Sequence, residues 1–415
     1  MSGAILNRTE HEPLISVEQA TRRIIKSVAP VTTESISLDH AHGRILREQI
    51  FADRDQPAFN RATMDGIAIN HSAITKGTTK FYLQDKQSPG QAPKILSDEH
   101  CAIAITTGAP LPEGCTAVVP QEKLTFHGAA VFLHKVSEVH EYSNVHLSGS
   151  DFRKGELLLT PGCTIGAGEV GAIASAGRRS ANVSAVVRVA VVITGNEIEL
   201  QSESSNSFQI RDINGPIVTS VLSTIQGCEV SRVYVLDSIA ALEKVIGEQL
   251  ANNDVVITTG GVSKGDADFI PHVMERLDVQ QLFHGVAQKP GKPLWVGLGP
   301  QGLVFGLPGN PVSVTHCLVR YVLPAIRRMQ QATDTPPKYA RLARDMRGLK
   351  NKIWFVPTFI ETDEEAVVWA DPRVPNTSGD FSSLVNTGGF IELPMGTSPI
   401  KQGTPLKLYE FGRLL

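Results

Sequence analysis

The chain has 415 residues, a formal net charge of −3 with acids and bases interspersed, and no apolar run approaching the length of a membrane span. Such a length calls for about two to four domains, the charge balance leaves no footprint for nucleic acid or an anionic membrane, and the polar start at 1–12 does not read as a signal peptide. The five cysteines (Cys101, Cys115, Cys163, Cys228, Cys317) are scattered and never form a Cys-x-x-Cys pair, which argues against a disulfide framework or structural zinc and for a reducing cytosol.

Ser16-Val17-Glu18-Gln19 is a capping-box start, with Ala20, Ile24, Ile25 and Val28 on one helical face until Pro30. Residues 31–47 alternate loosely towards a strand. In Arg61-Ala62-Thr63-Met64-Asp65-Gly66-Ile67 the Asp-Gly step reads as a turn into a strand. Residues 71–100 are polar and turn-rich, with 88–93 a surface loop. Residues 102–105 lead into Thr106-Thr107-Gly108-Ala109-Pro110, and further strands follow at 117–119 and 131–133, so 51–146 reads as an inserted all-β domain, mostly hairpins. Ser150-Asp151-Phe152-Arg153 turns the chain back into Leu157-Leu158-Leu159, and 166–176 makes a small-residue helix.

Residues 187–193 are nearly continuous apolar sequence ending at Thr194-Gly195-Asn196-Glu197, the first strand of an α/β domain. Asp212 and Asn214 precede the next helix, where they either cap it or face a ligand. Residues 232–236 form a strand ending at Asp237, before a helix over 239–250, and Asp237 fits a cap and a site residue equally. The strand 254–257 stops at Thr258-Thr259-Gly260-Gly261-Val262-Ser263, and Asp268 is placed to cap a helix carrying Phe269, Val273, Met274 and Leu277. Lys289-Pro290-Gly291-Lys292-Pro293 forms a stiff loop with two cations. The strand 303–305 runs into Gly306-Leu307-Pro308-Gly309-Asn310-Pro311 and a helix over 312–326, with Asn310 as cap and Pro311 as first helical residue. Beyond the 335–337 linker, strands are expected at 353–359, 366–369, 389–393 and 405–409, and Gly379 to Leu384 reads as a helix start capped by Asp380 or Ser382.

Two strand–glycine loop–helix units within sixty residues (254–313) place their loops at the carboxyl edge of one sheet, where open α/β sheets bind ligands. Glycines admit close backbone approach and helix starts present N–H groups to anions, so the expected ligand is phosphorylated or otherwise anionic. Glu197, Asp237, Asp266 and Asp268 fall on that edge, with Asp65 supplied by another segment. Hard oxygen donors without paired His or Cys suit Mg²⁺, which keeps waters and bridges to phosphates. No Ser or Cys is paired with a His signature as a covalent nucleophile.

Thr-Thr-Gly-Gly-Val-Ser at 258–263, Lys-Pro-Gly-Lys-Pro at 289–293 and Gly-Leu-Pro-Gly-Asn-Pro-Val-Ser at 306–313 resemble the MoeA family, which includes the gephyrin E domain. Met-Asp-Gly at 64–66, Thr-Gly-Ala-Pro-x-Pro at 107–112, Thr-Gly-Asn-Glu at 194–197, Gly-x-Asp at 149–151 and Gly379 to Leu384 extend the likeness over nearly the whole chain. Ile67 stands where many members have an aromatic, and His146 and Ser150 depart from an arginine-rich version, leaving Arg153 as the guanidinium there.

The resemblance implies a molybdopterin molybdenumtransferase. It would take adenylylated molybdopterin and molybdate, cleave the pyrophosphate linkage in a Mg²⁺-dependent step, insert molybdenum into the dithiolene and release AMP. It assigns Asp65 and Glu197 to the Mg²⁺ or molybdate environment. Thr107, Asp237 and Asp268 would position the pterin nucleotide, and Pro308 and Pro311 would shape its loop. Gly260, Gly261, Ser263, Gly309 and Asn310 would seat the phosphates, with Lys289 and Lys292 offsetting charge and Asp151, Ser382 and Ser383 close by. The implied fold is multi-domain α/β plus β. An extended helix and strand domain (1–50 and 147–184) is interrupted by the β insertion (51–146). A MogA-like α/β domain with a mostly parallel sheet (185–332) and a β-barrel-like C-terminal domain (333–415) follow. An elongated homodimer in the cytoplasm, with transient contact to a MogA-type adenylyltransferase, completes the expectation. The alternatives are an adenylyltransferase, a non-catalytic scaffold of gephyrin type, and a paralogue with altered metal or pterin choice.

Overall fold

The computed structural model describes residues 13–198, 208–262, 269–377 and 379–411, which divide into two compact bodies. One comprises Glu48–Thr160 and Ala167–Arg179, and the other holds the remaining described residues. Ser263, Asp266 and Asp268 lie outside the described residues.

The first body is built on a six-stranded sheet in the order Ala117–Pro120, Gly66–Ile69, Cys101–Ile105, Lys80–Gln87, Ala130–Leu133, Leu124–His127. Alternation along these strands buries Ile67, Ile69, Phe81, Val119 and Val131 in one cluster. Two features depart from a string of hairpins. A single turn of helix, His71–Thr75, forms where the Asn70 side chain accepts from the Ser72 N–H. The strand Lys80–Gln87 pairs in parallel with Cys101–Ile105, so the polar stretch between them is a crossover. Gly66 is required by packing: a Cβ there would lie 1.9 Å from the Val119 carbonyl oxygen on the neighbouring strand.

In the second body the chain builds a sheet in the order Cys228–Val235, Val187–Thr194, Val255–Thr259, Leu303–Leu307, Trp295–Leu298, Gln280–His284. The first four strands are parallel and the last two antiparallel to their neighbours. Side chains alternate between two apolar layers. Val189, Val191, Ile193 and Ile257 enter one, while Val192, Val256 and Val304 pack with Ile246, Val273 and Met274 in the other. Burial on both faces is why these strands read as unbroken apolar runs.

The helix expected over 312–326 is a longer helical run with a defect. Pro311–Cys317 and Leu323–Met329 flank a π turn at Leu318–Val322, where the Leu323 N–H reaches the Leu318 carbonyl. Pro324 has no N–H to give to the turn before it, which accounts for the irregularity.

Beyond it, Ile353–Thr362, Val368–Pro372, Lys338–Leu342, Pro405–Glu410 and Gly389–Leu393 form a closed five-stranded barrel, because the first also pairs with the last. Gln288–Lys289, expected within a linker loop, is a short strand alongside Ile353 and Trp354 at the barrel's margin.

Where the helical run meets the barrel, His316 is fully buried, stacked 4.1 Å from the Phe355 ring, with Phe390 edge-on at 5.5 Å. Its Nε2 has no hydrogen-bond partner among the described residues, and burial, reinforced by the Arg320 cation, holds its pKa well below the usual 6.5. The native imidazole is therefore neutral. The unfolded chain takes up a proton below about pH 6.5 that the native state resists, so His316's contribution is complete above that value and lost as the pH falls beneath it. His316→Phe is expected to flatten the acid loss of stability by up to about 1.4 kcal/mol per pH unit. Denaturant titrations at a series of pH values check this, and an unchanged slope counts against it.

Candidate functional site

In the first body, Asp65 starts the strand Gly66–Ile69 and Thr107 follows the end of its antiparallel neighbour Cys101–Ile105, so the pairing sets them side by side. Asp65 Oδ1 accepts both the Thr107 N–H and the Thr107 hydroxyl, each at 2.7 Å. These bonds, the backbone one first, hold the Asp65 carboxyl below its ordinary pKa although the side chain is exposed. Oδ2 has no hydrogen-bond partner among the described residues.

Asp151 belongs to a different constellation. His146 Nε2 lies 2.8 Å from Asp151 Oδ1, and Arg61 Nη2 lies 3.3 Å from His146 Nδ1. Since Arg61 can only donate, the imidazole presents Nε2–H to the carboxylate. His146, standing where the family's pattern favours arginine, is thus the partner of Asp151.

In the second body, register decides the site. Thr194 pairs with Val235, and Thr259 with Leu307, so four parallel strands end at one level. The Gly260 N–H donates to the Leu307 carbonyl at 3.0 Å. Gly260 and Gly261 both have positive φ (99° and 64°), a conformation that favours glycine. A Cβ on Gly309 would sit 3.6 Å from Gly260 Cα, and one on Gly260 would lie 3.3 Å from the Thr194 carbonyl oxygen. The loops after three neighbouring strands therefore touch, and the two glycine motifs that looked separate in sequence share one rim.

Two acids complete that rim. Glu197 is exposed on the loop after Thr194. Asp237 accepts a hydrogen bond from the Thr194 hydroxyl, and its N–H donates to Asn196 Oδ1 at 3.2 Å. Asp237 is not the cap of the following helix: Ser238 is, its hydroxyl accepting from the Ala241 N–H. The cap reading of Asp237 is thereby removed.

Asp212 and Asn214 separate in the same way. Asp212 accepts from the Gly215 N–H at 2.9 Å and from the Tyr234 hydroxyl at 3.0 Å, which is a capping role. Asn214 instead sends Nδ2 across to the Gly309 carbonyl oxygen at 2.7 Å, while its Oδ1 is buried without a partner among the described residues. In sequence Asn214 stood out only by its place beside Asp212 before the helix, and its contact to Gly309, 95 residues away, is tertiary.

Asn310 is the N-cap residue and Pro311 the first helical one, as expected, although no side-chain cap bond forms. Gly379 lies against this corner, since a Cβ there would be 3.5 Å from Asn310 Oδ1. Ser382 and Ser383 follow in the short 3-10 turn Phe381–Leu384. The Ser382 hydroxyl donates to Asp380 Oδ1 at 2.5 Å, and with the Asn376 N–H on Oδ2 it holds that carboxyl below its usual pKa. Pro308 is buried behind the rim, whereas Lys292 and Lys289 are exposed. Neither lysine forms an ion pair among the described residues. Lys289 Nζ lies 5.2 Å from the Trp354 ring centroid, a cation–π contact that turns it towards the barrel.

Comparison with known proteins finds relatives along nearly the whole chain. Residues 15–177 match the family model described as MoeA N-terminal region (domain I and II), 190–328 match the probable molybdopterin binding domain, and 339–411 match MoeA C-terminal region (domain IV). A molybdopterin molybdenumtransferase from Synechocystis is 30% identical over 398 residues, covering 95% of this chain and 100% of that protein. Another, from Staphylococcus epidermidis, is 32% identical over 396 residues, covering 94% of each. Among solved structures, a molybdopterin biosynthesis MoeA protein from Pyrococcus horikosii superposes with a TM-score of 0.80 at 27% identity, covering 97% of this chain and 100% of that one.

The Asp65–Thr107 pair can be tested by itself. Thr107→Val keeps the backbone donor and removes the hydroxyl, so the Asp65 carboxyl pKa is expected to rise part of the way towards its ordinary value. Carboxyl-selective NMR titration reads this directly, and an unmoved titration would show that the hydroxyl does not matter.

Proposed function

The chain belongs to the MoeA family of molybdopterin molybdenumtransferases, and on that premise we propose that the carboxyl-edge rim of its α/β sheet seats adenylylated molybdopterin for molybdenum insertion. The protein is a transferase of molybdenum cofactor biosynthesis. The observation that carries the detailed reading is the contact between the Gly260–Gly261 and Gly309–Asn310 loops beside Glu197 and Asp237.

In this reading the glycine backbone accepts the phosphates at close range and the exposed Lys292 offsets their charge, while Lys289, which packs on Trp354, is assigned the same role on the resemblance alone. Water cleaves the phosphoanhydride to give AMP and the pterin phosphate, and one molybdate oxygen leaves as water with the two dithiol protons as the sulfurs bind molybdenum. Asp237, fixed by Thr194 and Asn196, orients the nucleotide.

The donor chemistry fits Mg²⁺. Glu197 and Asp237 supply oxygen at the ends of adjacent strands, and no group of three or more His, Cys, Asp or Glu gathers as a metal cage among the described residues. Two carboxylates and substrate phosphates, with water completing the shell, are what a hard cation accepts. Such an ion would neutralise charge on the leaving phosphate. Glu197 is the residue assigned to hold it at this rim. Asp65, whose carboxyl Thr107 holds below its ordinary pKa, is assigned to the Mg²⁺ or molybdate environment on the resemblance.

Asp151, Ser382 and Ser383 are assigned to the substrate surroundings, and Ser263 and Asp268 to the nucleotide loop, on the resemblance alone. The four-part domain division, a homodimer and transient contact with a MogA-type adenylyltransferase rest on the same ground. A cytosolic location is supported by five cysteines that are all free. No helix among the described residues is long and apolar enough to cross a membrane.

Glu197→Ala and Asp65→Ala are each expected to lower molybdenum insertion by roughly 10²–10³-fold without unfolding the protein. The assay supplies adenylylated molybdopterin and molybdate and reads both AMP release and reconstitution of an apo-molybdoenzyme. Full activity in either variant rejects that residue's role, and ATP consumption in place of AMP release would favour an adenylyltransferase. Removing divalent ions with a chelator should stop AMP release and Mg²⁺ should restore it. Release that continues in chelator counts against the metal assignment.

A further inference from the structure

We propose that Asn214 is a positioning residue, locking the Gly309–Asn310 peptide so that its carbonyl turns away from the anionic substrate. The inference rests on the substrate reading above and goes beyond it by assigning a residue to the control of one peptide's orientation.

Gly309 is exposed on the rim and packs against Gly260. A glycine peptide in such a place has little steric reason to prefer one orientation of its plane. Orientation matters here, because a carbonyl oxygen facing a phosphate repels it while an N–H attracts it. The peptide is planar, so holding its oxygen on one side commits its N–H to the other. Asn214 Nδ2 performs that holding, at 2.7 Å from the Gly309 oxygen.

A second observation separates this role from ordinary packing. Asn214 Oδ1 is buried and has no hydrogen-bond partner among the described residues, so the side chain is retained with its acceptor unsatisfied by them. Helix capping does not explain it, since Asp212 already bonds the Gly215 N–H. What remains is the amide donor, which no isosteric carboxylate supplies once ionised.

The test uses that difference. Asn214→Asp keeps the shape but, when ionised, sets a carboxylate against the Gly309 oxygen; when protonated, it donates again. Anaerobic calorimetry with adenylylated molybdopterin, across roughly pH 4 to 8, compares this variant and Asn214→Ala with the wild type, with melting temperatures measured alongside. The expected result is about 10-fold or greater weakening for Asn214→Asp at the alkaline end, recovering relative to wild type as the pH falls through the carboxylate range. Asn214→Ala should be weakened at every pH without recovery. If Asn214→Asp binds like wild type throughout, or is weakened with no relative recovery, Asn214 does not position the peptide. Weakening that tracks a falling melting temperature in both variants also overturns the proposal, in favour of a structural role. If wild type itself does not bind, the substrate reading fails instead.

Discussion

The site depends on the in-register pairing of four parallel strands. Because Thr194, Val235, Thr259 and Leu307 end at one level, whatever follows them is delivered to a common rim. A parallel sheet does this without special side chains: the backbone ladder sets the level and the crossover helices return each chain to the opposite edge. A slip of one strand by one residue would turn its apolar side chains to the wrong layer. The burial of Val189, Val191, Val256 and Val304 therefore guards the register that brings Gly260 to Gly309.

Polar contacts then refine what the sheet delivers. Thr194 and Asn196 fix Asp237, Asp212 secures the start of its helix, and Asn214 spans to the Gly309 carbonyl. Each is a short side chain adjoining an element end, where little conformational entropy is lost on ordering it. Thr107 does the same for Asp65 in the first body, with two donors on one carboxylate oxygen and the other left open. Both bodies thus present acids already held in place.

The barrel is tied to the helical run behind the rim. His316 stacks on Phe355, and Gln288, from the loop carrying Lys289 and Lys292, accepts from the Tyr321 hydroxyl at 2.5 Å while donating to the Gly291 carbonyl. A Cβ on Gly291 would meet Cys317 Sγ at 2.5 Å, so this loop lies directly on the helix that starts at Pro311. The cation-bearing loop and the Asn310 corner are consequently parts of one packed unit.

Local chemistry fixed what the chain could announce unaided. Apolar runs stopping at Gly-Gly or Pro-Gly-Asn-Pro mark strands and loops because backbone freedom and helix-start preferences are properties of a few adjacent residues. On that basis the order of elements, the central α/β layer, the C-terminal β strands and most of the site's residue types were legible, and the family likeness lay in the same short strings. Three things were settled only by tertiary contact. Whether Asp237 caps a helix turned on Ser238 doing so and on a threonine 43 residues away. Asn214's contact turned on Gly309, and Asp65's lowered pKa on Thr107 across a strand pair. The reason is common to all three: a hydrogen bond's partner is chosen by proximity in space, and that proximity is set by strand register, which no local stretch encodes.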